Sequence, residues 1–179
     1  MTILPVIIAP DPRLKIKCRP VERVDDAVRR LMDDMLETMY RVPGIGLAAP
    51  QVGVHSRVIV LDASPKDADP APLKLANPEL VWVSDELVTY EEGCLSLPEH
   101  YADVTRPDRV RVRYLDYDGE TREIEAEHVL ATCIQHERDH LDGILFVDHL
   151  TGLKRTMILR RMTKARRGKP APQPSRAGV

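Results

Sequence analysis

The sequence predicts an α+β fold: antiparallel β-sheets packed around a central helix carrying His-Glu-x-x-His, with a helix near each end of the chain. Three observations carry that expectation. From Val28 to Met39 apolar residues recur at steps of three and four. From Arg109 to Tyr114 they alternate with arginines. From His128 to Leu141 a helical spacing returns around His136, Glu137 and His140.

At 179 residues the chain is expected to form one catalytic domain over 1–166, followed by a Pro/Gly-rich disordered tail over 167–179. Apolar residues make up 43% and charged residues 30%, as in a water-soluble globular protein; aromatics, at 4%, leave the core to aliphatic side chains and methionine. No apolar run approaches the length of a membrane span, so no membrane partner is expected. The first residues carry neither a basic run nor a small-residue cleavage site, and a cytoplasmic location follows as the default. The three cysteines, Cys18, Cys94 and Cys133, are odd in number and widely spaced, which argues against a disulfide framework. The net charge of −2 conceals an asymmetry, because nine Lys or Arg and no acidic residue follow Asp148.

Residues 1–24 are spaced by prolines and read as irregular. Asp25 can cap a helix running to about Tyr40, with Val28, Leu31, Met32, Met35, Leu36 and Met39 as its buried stripe. Residues 43–53 hold glycines, small residues and prolines, which permit close backbone approach; Gln51 is their polar residue of interest, since its amide could donate to an oxyanion. Residues 57–63 read as a short strand. Leu73 to Tyr90 reads as two more strands broken near Asn77-Pro78, with Trp82 expected in the core. Cys94 lies between Gly93 and Leu95-Ser96-Leu97-Pro98, a special turn rather than an apolar run, and its thiol could reach a metal. Arg106 to Glu127 alternates and turns at Asp116-Tyr117-Asp118-Gly119, an antiparallel hairpin. The helix with the histidines starts between Glu125 and His128 and ends at Leu141 with Gly143 as its cap; Leu130, Ile134 and Leu141 turn the histidines inward. A last helix, about Gly152 to Lys164, is basic.

Residues four apart on a helix lie one above the other, so His136 and His140 aim two imidazoles at one point with Glu137 beside them. Two neutral imidazoles so placed suit a divalent metal, and the carboxylate can take a proton from a metal-bound water. A catalytic site of this kind needs a third ligand. The downstream pattern that adds a third histidine fails because Phe146 stands in its place, and no Glu follows Glu137. That counts against a zinc endopeptidase and leaves Cys94 as the best donor. His128, eight residues before His136, is too far along the helix to reach the same ion.

Three stretches together, Gly44-Ile45-Gly46-Leu47-Ala48-Ala49-Pro50-Gln51, Glu92-Gly93-Cys94-Leu95-Ser96 and Gln135-His136-Glu137-Arg138-Asp139-His140, resemble the three motifs of the peptide deformylase family, in that family's order. The resemblance spans about residues 1–165. It implies a metal-dependent hydrolase that removes the formyl group from the N-formylmethionine of nascent polypeptides. Carried over by motif, it implies Cys94, His136 and His140 as metal ligands, Glu137 as general base and acid, and Gln51 with the Leu95 backbone N–H as oxyanion donors. It further implies that Gly44, Ile45 and Gly46 pair with the substrate backbone and that Cys133 lines the pocket for the methionine side chain. The ion it implies is Fe(II), with Zn(II), Ni(II) or Co(II) able to take its place. The last helix, with Lys154, Arg155, Arg160, Arg161 and Lys164, resembles the family's ribosome-docking element. Glu99 to Asp103 departs from some members and bears on preference beyond methionine.

Overall fold

A computed structural model describes residues 2–65 and 67–167. Asp25 caps α1 (Asp26–Arg41) by accepting from the N–H groups of Ala27 and Val28 at 3.1 and 3.0 Å. Seven strands follow: β1 (Gly46–Ala48), β2 (Val58–Leu61), β3 (Leu73–Val83), β4 (Leu87–Cys94), β5 (Leu97–Pro107), β6 (Arg109–Leu115) and β7 (Thr121–Glu127). Then come α2 (His128–Leu141) and α3 (Gly152–Arg167). Short 3-10 turns occupy Pro12–Lys15, Ala49–Val52 and Phe146–His149.

The strands form two antiparallel sheets. One has the order β1-β2-β3-β6-β7; the other is the β4-β5 ribbon. Strand β2 shows why both helices are needed. Successive side chains on a strand point to opposite faces. Ile59 and Leu61 pack in the cluster that holds Ala131, Ile134 and Leu141 of α2. Val58 and Val60 pack with Met32, Met35 and Met39 of α1. Both faces of β2 are therefore buried, and its sequence is an unbroken apolar run rather than an alternating one. A third cluster joins Leu97 and Val104 of β5 to Phe146, Val147 and Met162, tying the ribbon to α3.

The β6–β7 hairpin keeps the expected parity: Val110, Val112 and Tyr114 are buried while Arg109, Arg111 and Arg113 point out. Gly119 turns it with φ +86° and Gly143 closes α2 with φ +74°, conformations that suit glycine.

Four expectations need correction. The break foreseen at Asn77-Pro78 is a bulge inside a continuous β3; Asn77 takes φ +50° and its side chain holds both the N–H and the C=O of Val21, at 2.9 and 2.8 Å. The interruption falls instead between Val83 and Leu87. Trp82 is not core: register sets it opposite the outward-pointing Arg111, so it shares the outer face and is 47% exposed. Strand β5 was not foreseen, because Leu97 to Pro107 is polar and bounded by prolines; pairing with β4 makes it a strand, with Pro98 and Pro107 at its ends. Helix α3 extends through Arg167, past its expected end at about Lys164; residues 168–179 of the expected tail lie outside the described residues.

Candidate metal centre and its cleft

Two elements bring the donors together. Helix α2 supplies His136 and His140, their rings 5.0 Å apart and both buried. Strand β4 supplies Cys94, where a register shift after Gly93 folds the ribbon through Leu95 and Ser96 so that Cys94 faces Leu97. The ligand atoms of Cys94, His136 and His140 all lie within 4.8 Å of one another. Cys94 Sγ is 3.2 Å from His140 Nε2. One sulfur and two imidazole nitrogens form a donor set that suits several divalent first-row ions. Burial and then the neighbouring His136 hold His140 well below its ordinary range, in the neutral form that binds metal. His136 is the reverse case in the metal-free protein: burial would lower it, but hydrogen bonds with Cys94 and Glu92 hold it well above its ordinary range. Its Nδ1–H donates to Glu92 Oε2 at 2.8 Å, so Nε2 is the nitrogen left to meet an ion. The residues present therefore fit a cation.

Behind these donors lies a layer that sequence reading missed. The Arg106 guanidinium is buried; it donates to both oxygens of Glu92, at 2.6 and 3.0 Å, and to Asp139 Oδ2 at 2.8 Å. The same Asp139 oxygen accepts from His149 Nε2 at 2.7 Å. A continuous chain thus runs from half-exposed His149 to His136. Burial would raise Glu92, but the hydrogen bonds from His136 and Arg106 hold it at about 2. The usable signal was parity: Arg106 lies two residues from buried Val104 and so shares its inward face, but that is readable only once β5 is known to be a strand.

Glu137 is buried beside the ligands, and its Oε2 has no hydrogen-bond partner among the described residues. Burial, opposed by His136 and reinforced by Glu92, raises it to about 7. A carboxyl so poised can both accept and return a proton near neutral pH. Gln51 is buried too, and its orientation is unambiguous: Oε1 accepts from Ala48 N–H at 2.8 Å, which turns Nε2 toward Ser96 Oγ at 3.1 Å and Cys94 Sγ at 3.4 Å.

These groups sit along one cleft of about 730 Å³. Gly44, Ile45 and Gly46 form one wall, the β4–β5 turn with Cys94 and Leu95 the other, and α2 with Cys133, His136 and Glu137 the floor. Two glycines let the first wall approach: a Cβ on Gly46 would collide with the Glu137 carboxylate and come to 2.9 Å from Cys133 Sγ, and one on Gly44 would come to 2.8 Å from Leu95 Cδ1. Cys133 Sγ donates to Ile45 C=O at 3.4 Å, and burial pushes its thiol well up, so it stays protonated. All ten site residues singled out in the sequence are thus in or beside this cleft. His128 is not: it pairs with Asp108 at 2.9 Å on the surface. The α3 residues Lys154, Arg160, Arg161 and Lys164 are exposed away from the cleft, and Arg155 is engaged by Asp148 at 2.7 Å.

A family model described as Polypeptide deformylase matches residues 3–156. The chain is 57% identical over 180 residues to a peptide deformylase of Methylocella silvestris, covering 99% of this chain and 91% of the relative. It is 54% identical over 164 residues to that of Phenylobacterium zucineum, covering 92% and 97%. Among solved structures it is similar to the peptide deformylase of Ehrlichia chaffeensis in complex with actinonin, with TM-score 0.89, 41% identity and coverage of 93% and 99%. The Legionella pneumophila structure gives TM-score 0.85, 42% identity and coverage of 94% and 100%.

Proposed function

The chain belongs to the polypeptide deformylase family, and from that premise we propose how its own residues take the formyl group from the N-formylmethionine of nascent polypeptides. It is a metal-dependent hydrolase, and its products are formate and a peptide with a free N-terminus. In our reading Cys94, His136 and His140 hold the ion; what supports this is that Cys94, distant in sequence, meets the two histidines of α2 beside Glu137, whose Oε2 has no hydrogen-bond partner among the described residues.

A divalent ion held by Cys94, His136 and His140 would supply Lewis acidity and acidify a water. Glu137 accepts a proton from the attacking water as its oxygen adds to the formyl carbon. The Gln51 Nε2–H and the Leu95 backbone N–H donate to the oxyanion as it develops; donors of this kind are worth about 3 kcal/mol each. Glu137 then returns the proton to the leaving amine nitrogen, the C–N bond breaks, and formate departs. Gly44, Ile45 and Gly46 offer the wall along which the peptide backbone lies, and Cys133 lines the pocket for the methionine side chain.

We read the ion as Fe(II), with Zn(II), Ni(II) or Co(II) as substitutes, and the setting as cytoplasmic; no helix among the described residues is long and apolar enough to cross a membrane. Residues 1–166 then act as one catalytic unit. The test is formate release from a formyl-Met peptide by anaerobically purified protein with metal assayed alongside. Turnover proportional to bound iron and lost faster in air than under nitrogen is expected; no formate from metal-loaded protein would overturn the reading. Cys94→Ala is expected to lower metal occupancy after dialysis by at least tenfold, and unchanged content would remove Cys94 from the ligand set.

For α3 we propose ribosome contact through Lys154, Arg155, Arg160, Arg161 and Lys164. Truncation after Leu150 is expected to abolish salt-sensitive co-sedimentation with ribosomes; retained binding would end that proposal.

A further inference from the structure

We propose that the backbone N–H groups of Ile7 and Ala9 form a positioning strap that fixes the spacing between the two oxyanion donors, Gln51 and Leu95, an inference that rests on the deformylase reading above. The donors stand on different sheets. Gln51 lies in the turn that follows β1 of the five-stranded sheet, and Leu95 lies in the turn of the β4–β5 ribbon. Among the described residues no strand ladder joins the two sheets. Donors of this kind act when both lie about 2.7–3.1 Å from the developing oxyanion. An error of about 1 Å can cost about 100-fold in rate. Something other than sheet pairing must therefore hold their separation.

The N-terminal segment does so. Ile7 N–H donates to the Gln51 carbonyl at 2.7 Å, and Ala9 N–H donates to the Ser96 carbonyl at 2.8 Å. Ser96 adjoins Leu95, and its Oγ accepts from Gln51 Nε2 at 3.1 Å. Together these bonds close a ring through the strap, the Gln51 turn and the Leu95 turn. Ala9, Gln51 and Ser96 are all buried, so water does not compete for the ring. With one Nε2–H committed to Ser96, the other is turned to the cleft beside Cys94 Sγ, 3.4 Å away.

The strap is itself anchored. Its side chains alternate as in an extended chain: Val6 and Ile8 line the cleft, while Ile7 and Ala9 pack with Leu97 and Phe146. Upstream, Thr2 N–H donates to Asp34 Oδ1 at 2.6 Å and Leu4 N–H to Thr38 Oγ1 at 2.9 Å, both on α1. Downstream, Pro10 favours an extended Ala9, the conformation that carries the strap past Ser96. Removing the Ile7 bond frees the Gln51 turn. It leaves His136 and His140 on α2, with the His136 ring still held by Glu92.

The experiment measures kcat, per bound metal, and KM for formyl-Met-Ala-Ser in the metal-loaded full chain, Ile7→Ala, Ile7→Pro, Gln51→Ala and Ile7→Pro with Gln51→Ala. Proline deletes the N–H that meets Gln51, whereas alanine trims the same side chain and keeps it. Ile7→Ala is expected to stay within about threefold of the parent, and Ile7→Pro to lose about 10–100-fold in kcat with KM within about twofold. Gln51→Ala is expected to lose about 10²–10³-fold. On that background the proline should cost no more than about threefold, because the group it positions is gone. A glycine inserted between Ile7 and Ile8 keeps both N–H groups but breaks their common register. It should show the same kcat loss and the same dependence on Gln51, and it decides the matter if the proline variant does not fold. Equal kcat in Ile7→Pro and Ile7→Ala, or an equal proline effect with and without Gln51, would overturn the inference while leaving the deformylase reading intact. So would failure of both the proline and the insertion variants to fold, since the segment would then hold the fold rather than the donors. Parent-like kcat in Gln51→Ala would remove Gln51 from the mechanism and the strap with it; absence of formate from the parent would overturn the deformylase reading itself.

Discussion

Glu137→Gln is expected to lower kcat/KM for a formyl-Met peptide by about 10²–10⁴-fold, the usual worth of a positioned acid–base group, while metal occupancy stays at the parent level. Gln keeps the shape of the side chain and leaves Cys94, His136 and His140 in place, but it cannot take a proton from water or return one to the amine. Most activity surviving would remove the carboxylate from the mechanism. The same substitution has an opposite effect on stability. In the metal-free protein, burial is the chief cause that raises Glu137 from 4.5 to about 7. A group whose folded pKa lies above its unfolded value stabilises fully below the unfolded pKa and loses that contribution as pH rises through the folded one. Ionising Glu137 in place thus costs on the order of 3 kcal/mol by pH 8. Metal-free Glu137→Gln is expected to unfold at higher denaturant than the metal-free parent at pH 8, with the gap closing toward pH 5. Urea titrations at the two pH values measure it, and equal gaps at both would refute the burial argument.

Arg106→Met is expected to destabilise the fold by about 3–5 kcal/mol, because it strands Glu92 and Asp139 as buried carboxylates without their cation. It should also weaken metal binding by about 10–100-fold, since Glu92 no longer holds the His136 ring firmly. Glu92 has the sign opposite to Glu137. Its folded pKa, about 2, lies below the ordinary 4.5, so its contribution is present above pH 4.5 and is lost as pH falls toward 2. Acid unfolding of the parent should draw on that window, and the variant should begin to unfold at higher pH. Chemical denaturation with a metal-chelation titration tests both parts; a loss of stability below about 1 kcal/mol would mean that the network is not the support it resembles.

The residues of the candidate site were legible in advance because their chemistry is written in short range. His136, Glu137 and His140 declare themselves through helical spacing, and Gln51 and Cys94 sit among glycines and prolines that no ordinary strand or helix would carry. The supporting layer was not legible for a physical reason. Glu92, Arg106, Asp139 and His149 look like surface charge in a chain that is 30% charged, and only the tertiary fold shows that the first three are buried against one another with half-exposed His149 at their edge. Trp82 is the reverse case, an apolar residue whose side of the sheet was decided by pairing with Arg111 rather than by its own hydrophobicity.

By itself, then, the sequence determined the periodic elements, α1, the β6–β7 hairpin and α2, and pointed to the residues that meet at the candidate site, since repeats of two or about 3.6 residues and local turn chemistry act over a few residues. Only the tertiary structure decided that β5 is a strand, which face Trp82 takes and how Arg106 reaches His136 through Glu92. Those outcomes depend on register and burial between segments far apart in the chain, and no local pattern encodes which distant partner will exclude the water.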